Sequence, residues 1–275
     1  MSDFLRDMAR ASAERVEHAR ARESAAALER RAHLAPAGAP LRLSAAGFDV
    51  IAEFKLRSPA AGRLGDERAD LRARIAAYAQ GGAAAVSVLT EPSRFEGSLE
   101  HLRQAAKVLA PFGIPAMRKD FLVDAYQVLE ARAAGAGGVL VILRMLPRER
   151  TVELLDAADE HGLFVLLEAF DAEDLGLARE LLAMRADRDE EILIGVNCRD
   201  LKTLEISQER FAALAPGLPQ GRPAVAESGV ASAADALKMM RLGYRAALIG
   251  TALMSREDPA PLLREILDAT RTVQV

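Results

Sequence analysis

Cysteine occurs once in the 275 residues, as Cys198, and tryptophan does not occur at all. A lone cysteine excludes an intrachain disulfide and any metal site built from a cysteine cluster. Aromatic residues make up only 4% of the chain, so a core has to be assembled mainly from Ala, Leu, Val and Ile. No apolar run is long enough to span a bilayer, and the chain starts on charged residues rather than an apolar signal region. There is no excess of basic charge either. A net charge of −4 argues against general binding to nucleic acid or to an anionic membrane, and a cytoplasmic location is expected.

What is present is ample apolar material (51%) with 28% charged residues, in a length that suits one large α/β domain. Residues 1–33 are Ala-rich and charged, a pattern that predicts one exposed or loosely packed helix, ended by the Pro/Gly-rich stretch at 35–40. From Gly47 a rhythm begins. Apolar runs recur at Val50–Phe54, Ala85–Leu89, Ile114–Met117, Val139–Leu143, Phe164–Leu167, Ile192–Val196, Ala224–Ala226 and Ala246–Ile249. Amphipathic segments separate them: Leu71–Gln80, Leu99–Leu109, Ala125–Ala134, Thr151–Glu160, Ala172–Met184, Gln208–Ala215 and Ala233–Leu242, with Ala260–Thr270 last. Eight strands alternating with eight helices predict a (β/α)8 TIM barrel over 47–275 carrying an N-terminal helical extension over 1–46, as a single domain. A doubly wound open sheet shares the alternation and stays open on periodicity alone.

The polar residues favour the barrel. Glu53 and Lys55, Lys119, Glu168, Asn197 and Arg199, and Glu227 with Ser228 each follow an apolar run at the same, C-terminal, end. Side chains alternate along a strand, so Glu53 shares a face with Lys55, and Asn197 with Arg199. A closed ring gathers such groups around one mouth; an open sheet scatters them. Structural ion pairs between neighbouring strands explain any one of these charges equally well. Lysines converging with carboxylates at one end point instead to proton transfer, because burying so many ionisable groups is costly and Leu or Val would serve stability better. Ser228-Gly229 and Gly250-Thr251, one repeat apart, add backbone N–H groups of the kind that cradle a phosphate after strands seven and eight.

Six stretches, Ile-Ala-Glu-Phe-Lys-Leu-Arg-Ser-Pro-Ala-Ala-Gly (51–62), Val-Leu-Thr-Glu-Pro-Ser-Arg-Phe-Glu-Gly-Ser (88–98), Arg-Lys-Asp-Phe (118–121), Leu-Glu-Ala-Phe (167–170), Gly-Val-Asn-Cys-Arg-Asp-Leu (195–201) and Ala-Glu-Ser-Gly-Val (226–230), together resemble the indole-3-glycerol-phosphate synthase family. They cover roughly 45–258, and the N-terminal segment matches poorly. The resemblance implies ring closure, decarboxylation and dehydration of 1-(2-carboxyphenylamino)-1-deoxyribulose 5-phosphate in tryptophan biosynthesis, with no metal and no organic cofactor. It implies Lys119 as general acid, Glu168 as general base, and Lys55 on the substrate carboxylate. Glu53, Asn197 and Glu227 would hold the lysines and the substrate hydroxyls. Ser58, Arg199 and Phe121 would bind the anthranilate end, and Ser228, Gly229, Gly250 and Thr251 the phosphate. The implied partner is thus a small phosphorylated molecule, with no nucleic acid and no membrane, and a monomer is compatible with it.

Three departures from the family pattern are visible. Ala60-Ala61 replaces the more usual Ser-Lys, Cys198 replaces a common second Asn, and Phe170 stands where His is frequent. Cys198 neighbours Asn197 and should point to the opposite face, which predicts packing rather than nucleophilic chemistry. His18, His33, His101 and His161 are expected on the surface, Met239-Met240 in helix packing, and Asp187, Asp189, Glu190 and Glu191 in a solvated loop. Two other function classes remain at this point. A pathway isomerase on the same fold would need a Cys/Asp acid–base pair, and Cys198 has the wrong strand phase for it. A non-catalytic phosphate-binding barrel would not need three carboxylates.

Overall fold

The computed structural model of the chain describes residues 2–45, 47–59, 62–64, 70–201 and 203–271. Among them, eight parallel strands form a closed barrel. They are β1 (Asp49–Phe54), β2 (Ala85–Leu89), β3 (Ala116–Lys119), β4 (Gly138–Ile142), β5 (Phe164–Ala169), β6 (Ile192–Asn197), β7 (Ala224–Glu227) and β8 (Ala246–Ile249). Asp49 to Ala52 pair in register with Ala246 to Ile249, which closes the ring and eliminates the open sheet.

Alternation along each strand produces two cores. Val50, Ala52, Phe54, Val86 and Val88 face outward and pack under the helices. Ile51, Ala85, Met117, Leu140, Leu166, Leu193 and Val225 fill the barrel interior. Every residue of the eight strands is buried except Lys119, the last residue of β3. The interior is therefore packed along its length and opens only at the C-terminal rim.

The outer helices are α3 (Leu71–Gln80), α4 (Leu99–Leu109), α5 (Ala125–Ala133), α6 (Arg148–Glu160), α7 (Ala172–Met184), α8 (Glu209–Leu214), α9 (Ala233–Arg241) and α10 (Ala260–Arg271), after the extension helices described next. Most begin on a side-chain cap, as Asp124 does for α5 in a capping box with Gln127. Strand β3 starts two residues later than expected because Pro115 has no N–H to contribute to the ladder. Helix α6 starts at Arg148 rather than Thr151, directly after Pro147.

The extension departs from expectation. It forms two helices, α1 (Asp3–Arg22) and α2 (Ala25–Leu34), since Ser24 accepts a hydrogen bond from Ala27 N at 3.3 Å and starts the chain afresh. Neither is loosely packed. Leu5 and Met8 join the interior cluster, while Val16 and Leu28 are buried against Tyr126. Polar ties reinforce the seam. The Tyr126 hydroxyl donates to Glu23 O at 2.9 Å, and Arg132 donates to the carbonyls of Ala35 and Pro36 at 3.0 Å.

Two smaller expectations are also corrected. Glu190 is not solvated: it pairs with the buried Arg185 at 2.7 Å. His101 and His161 are half-buried, His101 against Phe54 and His161 against His33, and in both burial lowers the pKa. Met239 is buried within the outer core as expected. Ala60 and Ala61 lie outside the described residues.

Candidate active site

The strand ends place a compact set of charges around the open rim. The Lys119 Nζ lies 2.8 Å from Glu227 Oε2 and 3.6 Å from Glu53 Oε2. The other Glu53 oxygen pairs with Lys55. Across the ring, Asn197 donates its side-chain amide to Glu168. Its carbonyl oxygen in turn accepts from the Arg199 backbone at 3.0 Å and from the Ser228 hydroxyl at 3.1 Å. A cavity of about 360 Å³ opens over this set.

Glu53, Lys55, Ser58, Lys119, Phe121, Glu168, Asn197, Arg199, Ser228, Gly229, Gly250 and Thr251 all line that one cavity. Glu227 does not; it is fully buried beneath the wall and meets Lys119 from below. The Arg199 guanidinium turns onto its own loop, donating to Leu204 O at 2.8 Å. Ser228 and Gly229 both have left-handed backbone, with φ of 68° and 73°, so the chain makes a tight turn at the cavity edge where glycine is the natural occupant. Cys198 packs in the outer core, and burial pushes its thiol up to about 11, which leaves it inert.

Burial opposes charge on each of these groups, and neighbours decide the outcome. For Lys119 the carboxylates of Glu227, Glu53 and Glu168 overcome desolvation and hold the ammonium above the ordinary lysine range. Glu53 is likewise desolvated, yet Lys55 and Lys119 keep its carboxyl below its ordinary value. Glu168 goes the other way. Burial and the charge of Glu227 push it up to about 8, against the pull of Lys119 and Asn197. Glu227 is raised as well, by burial. The site thus holds a firmly charged cation beside a carboxyl poised near neutrality, a combination suited to proton transfer. No cluster of three or more His, Cys, Asp or Glu able to hold a metal occurs among the described residues.

Sequence reasoning missed one wall of the cavity. Phe4 and Leu5 reach it from the extension, and Phe4 meets Phe121 edge-to-face at 5.7 Å. Phe95 lies 6.1 Å from Phe121 on another side. It also missed the tie behind Lys119. Arg15 of α1 donates to Asp120 Oδ1 at 2.6 Å, and the buried Arg118 holds the other Asp120 oxygen at 3.2 Å. The signal was present: Leu5, Met8, Ser12 and Val16 recur at helical spacing and all are buried.

The family model described as indole-3-glycerol phosphate synthase matches residues 5–266. The chain belongs to the indole-3-glycerol phosphate synthase family. Members of that family are carboxy-lyases. A relative of that name from a Nocardioides species is 45% identical over 252 residues, covering 89% of this chain and 92% of its own. Another, from Mycobacterium tuberculosis, is 40% identical over 254 residues, covering 90% and 89%. The family match begins within α1, so the extension belongs to it, contrary to the poor N-terminal match expected from motifs.

Solved structures show the fold alone. The 3-hexulose-6-phosphate synthase of Salmonella typhimurium superposes with a TM-score of 0.59 at 15% identity, over 82% of this chain and 99% of that one. The orotidine 5'-phosphate decarboxylase of Pyrococcus horikoshii gives 0.56 at 14% identity, over 82% and 100%. No helix among the described residues is long and apolar enough to cross a membrane.

Proposed function

We propose that the protein converts 1-(2-carboxyphenylamino)-1-deoxyribulose 5-phosphate into indole-3-glycerol phosphate, carbon dioxide and water, a step of tryptophan biosynthesis carried out in the cytoplasm. The observation that carries this reading is the Lys119 ammonium, reachable from the cavity and flanked by Glu53 and Glu227, with Glu168 acting on its charge from across the ring.

The ring carbon that bears the carboxylate attacks the sugar ketone, and negative charge builds on the ketone oxygen. Lys119, held charged by its carboxylate neighbours, stabilises that oxygen and gives up its proton once the alkoxide is the stronger base. Positive charge appears at the anilino nitrogen in the same step, and Glu168 stabilises it as a carboxylate. Loss of carbon dioxide restores the aromatic ring, with Lys55 holding the departing carboxylate beforehand. Dehydration follows. The hydroxyl leaves as water with a proton from a lysine, and Glu168 takes the proton from the adjacent carbon.

Glu53, Asn197 and Glu227 hold these groups in position, and Ser58, Arg199 and Phe121 bind the anthranilate end. The phosphate sits against the turns at Ser228-Gly229 and Gly250-Thr251. All of these residues come from one chain, so the reading needs no second copy, and it calls for no metal or organic cofactor. The test is the fluorescence of the indole product from purified protein given the anthranilate-deoxyribulose phosphate without additions. Turnover is expected in the wild type and a fall of about 10³-fold or more in Lys119→Met. A wild type that yields no indole at saturating substrate rejects the proposal.

A further inference from the structure

Gly195 occupies an inward-facing position of β6, in register with Glu168 on β5 and two residues before Asn197. Its backbone lies outside the left-handed region, so nothing in the main chain requires glycine there. The space around it does. A Cβ built on Gly195 falls onto Glu227 Oε1, with Glu227 Cδ and Leu166 Cδ1 each 3.2 Å away. That same Glu227 Oε1 is fully buried and has no hydrogen-bond partner among the described residues. The other oxygen is the one 2.8 Å from Lys119.

We infer that Gly195 is a positioning residue, whose missing side chain forms the slot that seats the Glu227 carboxylate against Lys119. The inference deepens the proposed function, on which it rests, by naming what fixes the general acid from outside the cavity. With Oε1 tucked over bare Cα, the carboxylate has one orientation in which Oε2 reaches Nζ. A methyl group at 195 collides with Oε1 and forces the carboxylate to rotate or retreat. Neither Oε1 nor Gly195 takes part in the cavity wall, so substrate contacts stay in place while the electrostatic support of Lys119 weakens.

The experiment is a double-mutant cycle on the full chain, with product fluorescence and thermal unfolding as readouts. Gly195→Ala is expected to lower kcat by about 10²-fold with KM within about twofold, the range for losing one aimed electrostatic contact. The alkaline limb of its pH profile moves to lower pH, because Lys119 has lost its nearest carboxylate. Adding Glu227→Asp, one methylene shorter, to Gly195→Ala restores kcat by about tenfold, whereas the same change in the wild type lowers it. Leu166→Ala, which frees the other contact of the new methyl, does not rescue. Should Gly195→Ala fail to fold, recovery of folded protein on adding Glu227→Asp but not Leu166→Ala reads the same coupling. Unchanged kcat in Gly195→Ala, or rescue by Leu166→Ala in place of Glu227→Asp, overturns the inference. A wild type without turnover counts against the proposed reaction alone. The slot is then judged from unfolding, where Glu227→Asp is expected to restore the stability that Gly195→Ala loses, and failure to restore it overturns the inference.

Discussion

Replacing Glu168 with glutamine should make the protein more stable while disabling it. Glu168 is 2% exposed, and its folded pKa is about 8 against an ordinary value of 4.5. Between those two values the folded chain binds more protons than the unfolded chain, so stability is lost as pH rises through the interval and is level above it. At pH 7 the penalty is about 3 kcal/mol, from roughly 1.4 kcal/mol for each pH unit above 4.5. Glutamine removes the titration but keeps an oxygen to accept from the Asn197 amide. For a chain of 275 residues, 3 kcal/mol corresponds to a rise in Tm of roughly 5 °C. Denaturant unfolding of wild type and Glu168→Gln at pH 5, 7 and 9 measures it. The gap should be small at pH 5, grow to pH 8 and then stay constant, while kcat falls about 10²-fold or more. A gap that does not change between pH 5 and 8, or a variant less stable than wild type at pH 8, refutes the reasoning.

The same carboxyl sets a pH–rate expectation. Since the base form of Glu168 is the active one, kcat/KM should climb with pH and level off near 8, and a flat profile from pH 6 to 9 contradicts its role. Arg15→Ala removes the 2.6 Å bond to buried Asp120 and should destabilise the protein by about 1–3 kcal/mol. It should also raise KM several-fold, because α1 carries Phe4 and Leu5 into the cavity; unchanged melting and KM speak against the tie. Cys198→Ala should leave kcat within about twofold and cost roughly 1 kcal/mol of packing, and a tenfold kinetic loss contradicts its placement in the outer core.

Much of the fold is legible in the sequence because the barrel strands are buried on both faces and read as plain apolar runs. Boundaries shifted by a few residues where proline intervened, at Pro115 and Pro147. The extension was misjudged for a different reason. Its composition is so rich in Ala, Arg and Glu that a buried stripe of Leu5, Met8 and Val16 has low contrast, and only tertiary packing exposes it. The candidate site residues are recognisable as types at strand ends, but two facts about them are three-dimensional. Nothing in the order Ala-Glu-Ser-Gly tells that Glu227 lies under the cavity wall rather than in it. Nor does Ile-Gly-Val-Asn tell that the glycine faces a carboxylate two strands' width from Glu168 rather than a turn.

The charge pattern of the ring connects these observations. Two ammonium groups, Lys55 and Lys119, face three carboxyls, Glu53, Glu168 and Glu227, within one buried cluster. Were all five ionised, the cluster would hold one uncompensated negative charge in a poorly solvated place, which is expensive. The strain falls on the groups least served by the lysines. Glu53 touches both and stays ionised, while Glu168 touches neither and rises to about 8. An empty site is therefore near neutral overall. An incoming carboxylate would draw on Lys55 and loosen its hold on Glu53, which pulls Lys119 further toward Glu53 and Glu227 and makes Glu168 hold its proton more tightly. The Glu168 pKa should therefore rise on adding a carboxylate-bearing, non-reacting analogue, and by more than on adding inorganic phosphate alone; a fall contradicts this account of the charges.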